Sequence, residues 1–287
     1  MANTRIDGAT ERYALLGGTL GHTWSPQIHN SIFDAGGVNA IYLPMPCPAA
    51  ALPSMVEIMR TTFSGFNVTI PYKEAVIPFL DELDETATAC GAVNTVEITP
   101  RGSMIGHNTD GLGLSRALRE GFVELAGADV VVLGAGGAAR IAAYEVLRRD
   151  GRVHIAARDV QKRERFVRSL ADTQKDGVAR ISHGPMDEIP GGGWQLLINC
   201  TPVGMFPHSD ACPVDEETLG RFDAVFDMIY NPPETRLLAA GRRLGLRTIG
   251  GFGMLFYQAV EAQKIWFGRE IAPKAQRAIR KELENLL

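Results

Sequence analysis

Asp129-Val130-Val131-Val132-Leu133-Gly134-Ala135-Gly136-Gly137-Ala138-Ala139-Arg140 is the stretch whose reading decides the fold. The run of apolar, mostly β-branched residues is short and uninterrupted, as in a strand buried on both faces. It enters a glycine-rich turn directly, and the turn opens a helix over Arg140 to Arg148. After Asp150-Gly151 a second strand follows, Val153 to Ala156. Strand, glycine turn, helix and strand within about thirty residues is the dinucleotide-binding arrangement. Gly134 permits the tight turn, Gly136 lets the backbone approach a pyrophosphate, and Ala139 packs helix on strand. N–H groups at the helix start then face the phosphate. Gly134, Ala135, Gly136, Gly137 and Ala138 are therefore the candidate phosphate cradle. A glycine turn that merely connects strand to helix is the rival reading, and the flanking elements disfavour it.

Working outward, further strands are expected at Leu196 to Ile198, Ala224 to Phe226 and Arg247 to Ile249, with a helix over Glu234 to Leu244. The N-terminal part also alternates. Tyr13 to Gly17, Ile41 to Leu43 and Phe66 to Ile70 read as strands, and Ala50 to Met59 as a helix. Val93 to Ile98 and Ser103 to Gly106 read as a hairpin around Pro100-Arg101-Gly102. Ser25-Pro26 reads as a helix start, with Ser25 as N-cap and Pro26 at the first helical position. A helix over Leu112 to Arg119 crosses to the next domain. The class is α/β in two domains, an N-terminal α/β domain over 1–110 and a Rossmann dinucleotide-binding domain over 111–251. The segments Met254 to Phe267 and Pro273 to Leu287 read as helices.

Composition narrows the function classes. The chain has 287 residues, 45% hydrophobic and 22% charged, which suits about two domains with real cores. A net charge of −4 leaves no basic footprint for nucleic acid. The cluster Lys162-Arg163-Glu164-Arg165 reads as a solvated helix face. Cys47, Cys90, Cys200 and Cys212 form no C-x-x-C pair, and the histidines lack metal-ligand spacing, so reduced thiols and no metal site are expected. The polar segment Met1 to Arg12 has no apolar leader region. No apolar run approaches the ~20 residues that span a bilayer. A cytoplasmic protein is the expectation, with no membrane partner.

Two further segments carry chemistry. One is Gly65-Phe66-Asn67-Val68-Thr69-Ile70-Pro71-Tyr72-Lys73-Glu74; the other is Gly106-His107-Asn108-Thr109-Asp110-Gly111. Pro71 reads as a helix start with Lys73 in its first turn, where the helix dipole opposes the lysine charge. Asp110 sits at a loop-to-helix junction. A lysine and an aspartate on turns beside small polar residues fit an acid/base pair next to a polar ligand. Alone, Lys73 would read as a surface lysine and Asp110 as a helix cap. His107 reads as an ordinary loop residue.

These segments resemble the shikimate dehydrogenase family. The resemblance rests on Asn67 to Lys73, Asn108 to Gly111, Ser25-Pro26-Gln27-Ile28-His29-Asn30, Gly91-Ala92-Val93-Asn94-Thr95, the glycine turn, Asp227-Met228-Ile229-Tyr230, and Gly253-Met254-Leu255 with Gln258. They occur in the family's order from about Tyr13 to Trp266. The resemblance implies that the C-terminal helices, 252–287, return to complete the first domain as a substrate domain, with the active site between the domains. It implies Lys73 as the favoured proton acceptor and Asp110 as its orienting partner, although the residues themselves assign the base to neither alone. Ser25 and Thr23 would hold a substrate carboxylate. Thr23 stands where the family usually has Ser, which bears on substrate choice. Thr69, Asn94, Tyr230 and Gln258 match further substrate contacts. Thr201, Met228 and Gly251 join the implied cofactor residues.

The implied reaction is reversible reduction of 3-dehydroshikimate to shikimate with NADPH, in the route to aromatic amino acids. The partner is a small hydroxy or keto acid, and a monomer or homodimer is expected. Cofactor choice turns on Ala157-Arg158-Asp159. Arg158, with Lys162, suits the 2′-phosphate of NADP, whereas an acidic residue there favours NAD. Asp159 either turns toward the ribose or caps the next helix. NADP is the expectation, with NAD as the alternative in a quinate/shikimate dehydrogenase. A regulatory paralogue with little activity is disfavoured by the retention of both Lys73 and Asp110. A methylene-tetrahydrofolate dehydrogenase is disfavoured by the Asn-Thr-Asp-Gly motif and Gln258.

Overall fold

The computed structural model describes residues 6–21, 23–173 and 179–286. Part of the polar N-terminal segment, residues 1–5, and Leu287 lie outside them. The chain divides into two compact units. One comprises the residues up to Asp110 with Phe256–Leu286, and the other Gly111–Leu255.

In the first unit the elements are β1 (Glu11–Gly17), α1 (Ser25–Gly36), β2 (Ala40–Pro46), α2 (Leu52–Thr62), β3 (Gly65–Val68), β4 (Glu82–Leu83), α3 (Glu85–Cys90), β5 (Thr95–Ile98) and β6 (Met104–His107). The strand order is β2-β1-β3-β5-β6-β4. β1 is parallel to β2 and β3, while β5 is antiparallel to β3 and β6. The expected hairpin is thus β5–β6. Leu16, Phe66, Val68, Val96 and Met104 bury one face of this sheet. Tyr13, Leu15, Phe33 and Tyr42 form a second cluster that takes in Trp266 and Phe267.

The second unit begins within α4 (Asp110–Glu120). It continues through β7 (Asp129–Leu133), α5 (Gly137–Leu147), β8 (Arg152–Ala156), α6 (Val160–Thr173), β9 (Ile181–Gly184), β10 (Leu196–Asn199), α7 (Glu216–Leu219), β11 (Ala224–Asp227), α8 (Arg236–Arg243) and β12 (Arg247–Gly250). The strand order is β12-β11-β10-β7-β8-β9, with neighbouring strands parallel. Taken in order of appearance this is 3-2-1-4-5-6, the Rossmann winding, which reverses direction between β7 and β10. Val130, Val131, Val132 and Leu133 are all fully buried, as a central parallel strand requires. The chain ends with α9 (Phe252–Phe267) and α10 (Pro273–Glu284). From α9, Trp266 Nε1 donates to the Val96 carbonyl at 3.0 Å and Gln263 Nε2 to the His29 carbonyl at 3.1 Å, tying this helix to the first unit's sheet and α1.

Several expectations change. Ser25 is the first residue of α1 and Trp24 holds the cap position, without a side-chain cap. The turn is closed instead by Thr23, whose Oγ1 accepts the Ser25 N–H at 3.2 Å. No α-helix starts at Pro71. The Ile70–Pro71 bond is cis, and the chain runs through turns into a short 3₁₀ segment, Ile77–Phe79. Pro78 has no N–H for the Glu74 carbonyl, so Ile77 N–H takes that acceptor at 3.2 Å in a tighter turn. Lys73 therefore feels no helix dipole. Arg163 is not on a solvated face: it is 8% exposed and donates to the Ala157 carbonyl at 2.7 Å. β4, α3, β9 and α7 are short and lack a readable period.

Candidate active site

Lys73 and Asp110 meet. Lys73 Nζ lies 2.5 Å from Asp110 Oδ2. The lysine sits on a turn in which Tyr72 N–H donates to Thr69 O and Val76 N–H to Tyr72 O, both at 2.9 Å. Its own carbonyl accepts the Val93 N–H at 2.8 Å, which ties the turn to the residue before Asn94. Asp110 opens α4, where the N-terminal N–H groups favour a carboxylate. Asn94 Nδ2 donates to the other carboxylate oxygen, Asp110 Oδ1, at 2.8 Å. Both oxygens are thus held. The Lys73 side chain is 28% exposed and that of Asp110 only 10%, so a ligand reaches the ammonium more readily than the carboxylate.

Behind the pair lies a buried amide network. Asn94 Oδ1 accepts the Thr109 N–H at 2.8 Å. Asn67 Nδ2 donates to the Asn94 carbonyl at 3.0 Å and to Thr95 Oγ1 at 2.9 Å, and Asn67 Oδ1 accepts the Tyr42 hydroxyl at 2.8 Å. Asn108 Oδ1 accepts the Asp110 N–H at 3.1 Å. The side chains of Asn67, Asn94 and Asn108 each have partners, which rigidifies the acid/base pair. Asn67 and Asn108 stood in the quoted motifs without a role. Their support function was legible only as an Asn at a strand end and an Asn two residues before an Asp.

The other substrate candidates are distributed. Thr23 and Ser25 form their own hydroxyl pair, Oγ1 to Oγ at 3.2 Å, at the start of α1. Thr69 begins the turn that carries Lys73. Gln258 is buried on α9 in the same unit. Tyr230 belongs to the other unit, just after β11, where burial pushes its hydroxyl pKa up.

In the Rossmann unit Gly134 has φ 108°, and a Cβ there would lie 3.3 Å from the Cys200 carbonyl oxygen and 3.4 Å from Thr201 Cγ2. The glycine turn and the loop after β10 thus touch at the point where the sheet reverses, where such sheets bind ligands. Gly136 caps α5 without a side-chain bond, and a Cβ on Gly136 or Gly137 would meet nothing within 4 Å. The helix start is therefore open in front of its N–H groups. A Cβ on Gly251 would lie 2.2 Å from the Met228 carbonyl oxygen, so only glycine lets the loops after β11 and β12 pack. Arg158 and Lys162 are exposed, and among the described residues no hydrogen bond or ion pair engages either side chain. The Asp159 carboxylate is engaged by the backbone: its Oδ1 accepts the Lys162 N–H at 2.9 Å and caps α6. The open helix start and the two unengaged cations fit a dinucleotide with a 2′-phosphate.

A second buried network was missed as such. Asp227 is fully buried at the end of β11. Its Oδ1 accepts Asn199 Nδ2 at 3.0 Å and the Ile229 N–H at 3.1 Å, and its Oδ2 accepts the Thr235 hydroxyl at 2.7 Å. Asn199 Oδ1 in turn accepts the Thr201 hydroxyl at 2.7 Å. One carboxyl therefore fixes the loops that carry Thr201 and Met228. Burial raises its pKa to about 6 despite these three bonds.

Comparison with known proteins identifies the assembly of these parts. Residues 15–96 match the model described as the shikimate dehydrogenase substrate binding domain. The NADP(+) shikimate dehydrogenase of Carboxydothermus hydrogenoformans is 39% identical over 92% of this chain and 94% of its own length. The chain belongs to the shikimate dehydrogenase family. A crystal structure of a shikimate dehydrogenase in complex with NADP+ superposes with a TM-score of 0.91 at 35% identity, covering 97% of each chain. The fold also hosts other substrates: the 5-ketofructose reductase of Gluconobacter sp. strain CHM43 superposes with a TM-score of 0.86 at 30% identity, over 96% of this chain and 100% of that one. In this shikimate dehydrogenase family member the paired Lys73 and Asp110 and the reversing Rossmann sheet occur on one chain. Among the described residues no helix is long and apolar enough to cross a membrane.

Proposed function

We propose that this chain catalyses the reversible reduction of 3-dehydroshikimate to shikimate with NADPH, in the route to aromatic amino acids. The observation that carries the reading is the Lys73–Asp110 pair, braced through Asn94, in a member of this family. The residues to 110 with 252–287 act as the substrate domain, and 111–251 bind the dinucleotide. NADPH, when bound, supplies the hydride. Lys73 Nζ gives a proton to the substrate carbonyl oxygen as the alcohol forms, and takes it back from the hydroxyl in the oxidation direction. Asp110 keeps that nitrogen oriented, and Asn94 keeps Asp110 from rotating. Thr23 and Ser25 offer hydroxyls to the substrate carboxylate. Thr69, Asn94, Tyr230 and Gln258 offer hydroxyls and amides to the ring hydroxyls.

On the cofactor side, N–H groups at the start of α5 receive the pyrophosphate along Gly134, Ala135, Gly136, Gly137 and Ala138. Arg158, with Lys162, receives the 2′-phosphate, and Thr201, Met228 and Gly251 line the nicotinamide end. That Asp159 caps α6 supports NADP over NAD, because its carboxylate is engaged by a backbone N–H. A cytoplasmic enzyme, monomeric or homodimeric, completes the reading.

The test is a matrix of initial rates, read from the absorbance of the reduced nicotinamide. It crosses shikimate and quinate with NADP and NAD, with 5-ketofructose and NADPH as a control. Shikimate with NADP is expected to give the highest kcat/KM. A higher value for quinate with NAD would assign a quinate/shikimate dehydrogenase instead. Turnover of 5-ketofructose alone would refute the substrate.

A further inference from the structure

We propose that His107 is a positioning residue for the Lys73–Asp110 pair, holding through Asp84 and Thr86 the loop that presents Asp110. His107 is the last residue of β6, not a loop residue, and only Asn108 and Thr109 separate it from Asp110. Its ring lies between two carboxylates. Nδ1 is 3.0 Å from Asp84 Oδ2, and Nε2 is 3.4 Å from Glu97 Oε2 on the neighbouring strand β5. The Nδ1 contact with Asp84 is a hydrogen bond, whereas the buried Nε2 makes none.

Asp84 passes this contact on. Its Oδ1 accepts the Ala87 N–H at 2.7 Å and so caps α3. It also accepts the Thr86 hydroxyl, 2.8 Å from Oδ1 and 2.9 Å from Oδ2. With its hydrogen committed to Asp84, Thr86 Oγ1 turns a lone pair to the Asn108 N–H, which donates at 3.0 Å. Asn108 then holds the Asp110 N–H through its own Oδ1 at 3.1 Å and anchors to the Ala92 carbonyl through Nδ2 at 2.9 Å. Burial alone pushes the Asp84 carboxyl up, but the hydrogen bonds from His107, the Ala87 N–H and Thr86 outweigh it and hold its pKa below the ordinary value. Asp84 is therefore an ionised acceptor whose orientation His107 shares in setting. Asn94 steadies the Asp110 loop from one side, and the His107–Asp84–Thr86–Asn108 chain steadies it from the other.

A residue that only positions should affect the chemical step more than substrate affinity, and its loss should be local. His107→Leu removes the donor and keeps apolar bulk. His107→Asn keeps a nitrogen donor near the place of Nδ1 but does not reach Glu97. For oxidation of shikimate with NADP, His107→Leu is expected to lower kcat about tenfold, the scale of a small misplacement of a reacting group, with KM changed less. His107→Asn should recover most of that loss. The kinetic arm rests on the function proposed above; a second arm does not. Amide hydrogen exchange should quicken at Asn108, Thr109 and Asp110 in His107→Leu and return toward wild type in His107→Asn. If the wild type oxidises no shikimate, the functional reading fails and the exchange arm alone decides this one. An unchanged kcat in His107→Leu overturns the proposal. So does a loss of protection spread evenly over β1 and β3, or an absence of rescue by His107→Asn.

Discussion

Asp227→Asn is expected to stabilise the protein above pH 6 and to do little below pH 4. The wild-type carboxyl is fully buried, and its pKa is raised from 3.8 to about 6 because burial disfavours the charge. A group with a raised folded-state pKa binds its proton more tightly in the folded chain. Its contribution to stability is fully present below pH 3.8 and is lost as the pH rises through about 6. At about 1.36 kcal/mol per pH unit of difference, the stability lost is about 3 kcal/mol. Asparagine carries no charge to bury. Its Oδ1 can accept Asn199 Nδ2 and the Ile229 N–H, and its Nδ2 can donate to Thr235 Oγ1, the roles that the protonated carboxyl fills. The measurement is urea unfolding of wild type and variant across pH 4 to 8, followed by far-UV circular dichroism and extrapolated linearly to water. The difference between the two proteins should grow with pH and level off above about pH 7, near 3 kcal/mol, since the other titrating groups cancel in the comparison. A difference that stays constant across that range would refute the reasoning and mean that Asp227 does not titrate on folding.

Other outcomes follow from the site. Lys73→Ala should lower kcat for shikimate by about 10²-fold or more while KM moves less; near wild-type kcat would remove Lys73 as the proton acceptor. Gly136→Val should abolish dinucleotide binding in a fluorescence titration while circular dichroism stays native, because the added atoms enter space the protein leaves open. Arg158→Ala should raise KM for NADP much more than for NAD, by about 1.5–3 kcal/mol, the value of a hydrogen bond to a charged group. Asp159→Ala should cost about 1 kcal/mol in thermal unfolding through the lost α6 cap, and should leave the NADP-to-NAD ratio of kcat/KM intact or higher. A collapse of NAD use in that variant would show the carboxylate acting on the ribose.

What was legible in the sequence was what short-range chemistry determines. The Val130 to Leu133 run and the glycine turn after it encode a central strand and a helix start within one local stretch, because a strand buried on both faces must be continuously apolar. Lys73 and Asp110 were legible as residue types on polar turns, and they do pair. The structure, by local caps at Asp159 and Thr23 and by tertiary contacts elsewhere, decided how each residue is held. Asp159 had two local options, and the free N–H of Lys162 in α6 took it as a cap. Pro71 read as a helix start, but the Lys73 carbonyl accepts the Val93 N–H from another segment and Pro78 has none for Glu74, which leaves Lys73 on a turn. Ser25 lost the cap position to Trp24 once Thr23 closed the turn. Asp227 ended an apolar strand with no sign of its burial, which depends on Asn199 and Thr235 arriving from other segments. His107 had no readable role, since Asp84 and Glu97 come from elements that only sheet register and helix packing bring beside it. Local periodicity specifies elements, but the polarity of a site depends on which distant side chains share a buried space with it. That is a property of the packed chain and not of any window along it.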